Sequence, residues 1–165
     1  MRIFRTLTVL LTTAALATAC THDEGSRARQ WEPDDALQRA QRALDADDAD
    51  TTQVAEASSY LASGIVRTLD TPGDKPYRLD IACDTDGVSA VTLSVTRGPD
   101  ERRFDVRCGN RQTLRLNVPA GPAFTVRIPR IDKEPIPSGV IVWNLNSLEP
   151  NDVHGCPDDI KGCKQ

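Results

Sequence analysis

Aromatic side chains make up only 4% of this 165-residue sequence, which also has just two histidines and one methionine. No apolar run reaches the ~20 residues a membrane-spanning helix needs, and acidic side chains outnumber basic ones, 24 to 20. A multi-span membrane protein and a long coiled coil are therefore excluded, and non-specific nucleic-acid binding is not expected. Catalytic signatures are missing too: the chain has no G-x-S-x-G elbow, no H-E-x-x-H helix and no phosphate-cradling glycine loop. A hydrolase triad would depend on His154, because His22 stands two residues from Cys20. A row of sugar-stacking rings has little to draw on. Tyr77, Phe104, Phe124 and Trp143 occupy core positions, which leaves Trp31 and Tyr60.

What is present begins at the N-terminus. Arg2 and Arg5 precede the apolar stretch Leu7, Val9, Leu10, Leu11, Ala14, Ala15 and Leu16, and small residues lead into Cys20. A basic end, a short apolar middle and a small-residue cleavage site read as an export signal. The segment Ala17-Thr18-Ala19-Cys20 resembles the lipobox of bacterial lipoproteins, although Ala17 stands where leucine is preferred. The resemblance implies acylation, including palmitate, at Cys20, which anchors the chain durably to the membrane. Without Arg2 and Arg5 the mature chain keeps 18 basic against 24 acidic side chains, a formal charge of -6.

Four cysteines then remain, Cys83, Cys108, Cys156 and Cys163. An even number in an exported chain reads as two disulfides. Of three connectivities we expect Cys83 with Cys108, which fall on two strand patterns, and Cys156 with Cys163, which are close in sequence. His154, Cys156, Asp158, Asp159 and Cys163 match no zinc spacing. A calcium loop from Asp45 to Glu56 would have Ala49 and Asp50 at positions that need a ligand and a glycine. No metal or other cofactor is expected.

Residues 20–33 read as a lipidated tether. Ala36, Leu37, Ala40, Ala43 and Leu44 then line one face of a helix predicted over 34–47, and an acidic run to residue 50 ends it. From Tyr77 the period changes to two. Six alternating runs follow, centred on Leu79, Leu93, Val106, Leu116, Val126 and Trp143, and separated by turn residues such as Gly98-Pro99. The stretch 54–69 fits either a helix or a strand, and we favour one strand near Tyr60 to Leu69. The fold expected is mainly β: an antiparallel β-sandwich of about seven strands over 51–150, preceded by one short helix and followed by a disulfide-closed tail, 151–165.

Trp143 follows both cysteines of the predicted inter-strand bridge, so the order is not that of immunoglobulin domains. The runs Tyr77-x-Leu79-x-Ile81-x-Cys83, Cys108-Gly109 and Gly139-x-x-x-Trp143-x-Leu145, together with the signal and lipobox, resemble small uncharacterised lipoproteins of high-GC Gram-positive bacteria. The resemblance implies an envelope location and no known reaction.

Alternation turns Arg78, Arg103, Arg107, Arg115 and Arg127 away from the apolar set, interleaved with Asp80 and Asp105. These arginines are the candidate binding face, suited to an anionic wall polymer or an acidic protein. Asp84 and Asp86 are a carboxylate pair of the kind glycosidases use, but Asp-x-Asp-Gly is more simply a turn. The sequence thus predicts a non-catalytic, lipid-anchored domain at the outer face of the cytoplasmic membrane that binds a protein or envelope component. The alternatives are a structural envelope protein, a small-molecule binder and, last, a hydrolase built on His154.

Overall fold

A computed structural model of the chain describes residues 33–45, 51–109, 112–132, 134 and 137–153. The sequence-based expectations for Cys20, His154, Cys156 and Cys163 lie outside these residues, as do the signal, the tether and the tail.

Among the described residues eight strands form two four-stranded sheets in which every ladder is antiparallel. They are β1 (Thr52–Tyr60), β2 (Ile65–Thr71), β3 (Tyr77–Thr85), β4 (Ala90–Arg97), β5 (Asp100–Arg107), β6 (Thr113–Val118), β7 (Gly121–Ile128) and β8 (Gly139–Ser147). The first sheet has the order β1-β8-β3-β6 and the second β2-β7-β4-β5. Only the β4–β5 hairpin keeps the chain in one sheet, through the two-residue turn Gly98-Pro99. Each other connection carries it across to the opposite sheet, so nearly all pairing is between segments distant in sequence.

The inner faces make one core, in which Leu79, Ile81, Trp143 and Leu145 of the first sheet meet Leu93, Val95, Phe124 and Val126 of the second. Six of the eight strands coincide with the alternating runs of the sequence. The remaining stretch differs from expectation. In place of one strand near Tyr60 to Leu69, residues 54–69 hold most of β1, a 3-10 turn at Leu61–Ser63 and most of β2. Gly64 makes this corner at φ 63°, and a Cβ there would fall 2.5 Å from the Ile128 carbonyl oxygen. Only glycine fits both the backbone angle and the space.

Helix α1 (Pro33–Leu44) ends three residues before the predicted 47, so that the acidic run from Asp45 lies wholly beyond it. Its face of Ala36, Ala40, Ala43 and Leu44 packs on Ala82, Val140 and Val142 of the first sheet, and Thr113 donates a hydrogen bond to the Ala43 carbonyl at 2.8 Å. Small alanines let the helix lie close to the strands. The central strands β8 and β3 of the first sheet are thereby covered on both faces, whereas among the described residues no helix lies on the outer face of the second.

The predicted bridge between Cys83 and Cys108 is formed, with a Cα–Cα distance of 4.5 Å. Paired with Thr113, Ala82 is the last β3 residue opposite β6. At the next position Cys108 takes the free side of β3, and Gly109 N–H donates to the Cys83 carbonyl at 2.8 Å. Since β5 belongs to the other sheet, this covalent link ties the two layers together.

Candidate binding surface

The five arginines do not share a face. Alternation fixes which side of its own sheet a residue takes, but not which sheet its strand joins. Arg78 and Arg115 lie on the outer side of the first sheet, and Arg103, Arg107 and Arg127 on that of the second.

The first group is a structural cluster. Asp80, expected on a solvent face, is 0% exposed. Arg78 Nε stands 2.9 Å from both its carboxylate oxygens, Asn146 Nδ2 donates to Oδ2 at 3.0 Å, and Arg115 Nε lies 3.6 Å from Oδ1. A buried carboxylate persists only when paired and hydrogen-bonded in this way. Alongside, Asp84 is engaged by Arg39 of α1 through two hydrogen bonds of 2.8 and 2.9 Å. That contact uses one member of the Asp84 and Asp86 pair in holding the helix.

The second group is exposed and lies on a mostly polar surface, with the exposed Val66 of β2 opposite Arg127. Arg127 of β7, Ser94 of β4 and Arg103 of β5 are cross-strand neighbours, which sets the two arginines about 10 Å apart at ordinary strand spacing. The adjacent row runs Thr68, Thr125, Thr96 and Glu101 over all four strands, with the Thr68 and Thr125 hydroxyls 3.2 Å apart. Arg103 Nε donates to Glu101 at 2.9 Å, and this hydrogen bond holds the Glu101 carboxyl below the usual glutamate range, with Ser94 and Arg127 acting in the same direction. Arg107 and Asp105 continue the face along β5. Guanidinium groups among hydroxyls on a rigid sheet suit phosphate or carboxylate groups repeated along a polymer or displayed on a protein.

Arg97, which sequence reading missed, sits at the end of β4 beside the β6–β7 turn. Its parity in β4 is that of the core residues Val91, Leu93 and Val95, a signal legible in the alternation itself. Its guanidinium donates to the Pro119 carbonyl and to Thr71 Oγ1, both at 2.9 Å, and lies 5.4 Å from the centre of the Phe124 ring. Burial pulls its pKa below the usual arginine value. These contacts tie the β6–β7 turn to β2 and β4.

A shallow cleft of about 270 Å³ at this end is lined by Asp74, Pro76, Asn117, Pro119 and Pro150, among others. It is smaller than most ligand sites, and Asp74 is its one titratable lining residue among those described. Glu56, the last position of the calcium loop considered above, lies within β1 opposite Asn144. Among the described residues no group of three or more His, Cys, Asp or Glu side chains could hold a metal ion. No protein-family model matches the chain, and neither does any curated protein.

Proposed function

We propose that the protein is exported, anchored by acylated Cys20 at the outer face of the cytoplasmic membrane, and acts there as a non-catalytic domain. It binds an anionic envelope component or acidic protein through the outer face of the second sheet. The reading is supported chiefly by the difference between the two outer faces: one is closed by α1 and by the Asp80 cluster, the other presents Arg103, Arg107 and Arg127 among Ser and Thr hydroxyls. The Cys83–Cys108 disulfide suits an oxidising compartment, and the basic, apolar and small-residue zones before Cys20 suit export and acylation. The chain resembles small lipoproteins of high-GC Gram-positive bacteria in the same features.

Two measurements test this. Intact mass of the protein purified from membranes of its native host should show a diacylglyceryl group on a chain beginning at Cys20; an unmodified N-terminus removes the anchor. Purified wall fragments should pellet the protein at low salt and release it at high salt, as expected for contacts between exposed charges. An Arg103→Ala/Arg127→Ala variant should pellet several-fold less. Equal pelleting by variant and wild type would move the binding surface elsewhere.

A further inference from the structure

Four strands form sheet edges, β1 and β6 in the first sheet and β2 and β5 in the second. An edge strand presents a row of unpaired N–H and C=O groups that accepts another strand, and proteins guard such edges with charge, proline, shortness or bulges, of which β1 has only a bulge near its N-terminal end. On β5 six of eight positions are charged: Asp100, Glu101, Arg102, Arg103, Asp105 and Arg107. Strand β6 is six residues long and carries Arg115, and β2 carries Arg67 and Asp70. In contrast, β1 runs for nine residues with Glu56 as its one charge and no proline.

The side chains of β1 are also inverted relative to an ordinary edge. Its small Ala55 and Ala57 pack against the core, while its largest apolar residues, Val54 and Tyr60, are 50% and 60% exposed. A bulge at Val54 leaves Ala55 to Tyr60 as regular ladder. Val54 and Tyr60 each stand three residues from Ala57. A second β1 laid antiparallel about a two-fold axis at Ala57 therefore sets Ala55 opposite the second copy's Ser59 and Glu56 opposite its Ser58 within the regular ladder, and brings Tyr60 to the second copy's bulge at Val54. Each copy's Tyr60 thus meets the other's Val54 at the bulge, and no like charges face each other directly.

From this self-complementarity we infer that β1 pairs with β1 of a second copy of this chain, joining the two first sheets into one eight-stranded sheet. The interface is isologous and closes as a two-fold dimer. The pairing rests on β1 alone and does not need the lipid anchor.

Substitution at the exposed Ser58 tests partner and register together. Ser58→Glu sets a glutamate opposite Glu56 of the second copy, and Ser58→Lys a lysine, each twice by symmetry. Sedimentation equilibrium of the full chain in density-matched detergent should show a dimer whose Kd weakens on the order of tenfold with Ser58→Glu and tightens comparably with Ser58→Lys. Thermal unfolding of the dilute variants checks that each monomer is folded. Amide exchange within residues 52–60 should slow as concentration rises. A monomer up to the solubility limit, a Kd that moves the same way for both variants, or concentration-dependent protection elsewhere would each overturn the pairing.

Discussion

Arg39 of α1 and Asp84 of β3, 45 residues apart in sequence, meet as a two-point fork: Nε donates to Oδ2 at 2.9 Å and Nη2 to Oδ1 at 2.8 Å. The Asp84 hydrogen bond raises the Arg39 pKa, against the opposing pull of burial. Planar bidentate pairing adds direction to attraction, and the helix otherwise rests on a face of alanines and Leu44 and on the Thr113 hydrogen bond at its last turn. The fork thus selects how α1 sits on the sheet. Because the arginine side chain is 32% exposed, solvent screens much of the Coulomb energy. Arg39→Lys keeps the charge but loses the fork, and should cost about 1 kcal/mol in urea unfolding, with Asp84→Asn costing about the same. The double variant should lose little more than either single one. Fully additive losses would mean that the two residues act separately.

The Cys83–Cys108 bridge closes a loop of 25 residues between layers. A crosslink over that distance stabilises by about 3.5 kcal/mol on the chain-entropy model. Cys83→Ala/Cys108→Ala should lower the urea midpoint accordingly, with little change in the native circular-dichroism spectrum. A midpoint within experimental error of wild type would mean that backbone pairing already fixes this corner.

The sheets were legible where one face of a strand is apolar and the other polar, as in β4 and β7. Strand β1 was misread because that rule is reversed: Ala55 and Ala57 face inward, while Val54 and Tyr60 face out. The covering of the first sheet did leave a mark, since Val140, Ile141, Val142 and Trp143 are apolar on both sides, as in a central strand buried twice. The alanine face of α1 showed that the helix docks, but nothing local says on which sheet. The same gap divides the arginines. Arg78 and Arg127 have the same parity relative to their apolar neighbours, yet long-range pairing sends β3 and β7 to different sheets.

At the centre of the first sheet's outer face, Asp80 neutralises Arg78 and lies beside Arg115 while fully buried. Removing one partner of a buried ion pair leaves the other charge without compensation, which costs about 3 to 5 kcal/mol. Asp80→Ala should therefore be more damaging than either Arg39→Lys or Asp84→Asn. Asp80→Asn, which keeps the shape and the neighbouring hydrogen-bonding groups but loses the charge, should fall between. Equilibrium unfolding in urea orders the four variants. A loss below about 1 kcal/mol for Asp80→Ala would show that the carboxylate does not compensate these guanidiniums.

Glu101 and Arg103, two residues apart on β5, give the exposed sheet a measurable pH signature. The Arg103 hydrogen bond and charge lower the Glu101 pKa, with smaller help from Ser94 and Arg127. A carboxyl whose folded pKa lies below its unfolded value stabilises the fold above that unfolded value. Its contribution is lost as pH falls through the folded pKa. Carbon NMR of the Glu101 side chain should accordingly titrate below an ordinary glutamate, and Arg103→Ala should return most of the difference. Arg127→Ala should move the midpoint upward by less, because its charge acts from two strands away. An unperturbed Glu101 in the wild type would leave Arg103 free of its carboxylate, and the face more strongly basic toward an anionic partner than the geometry indicates.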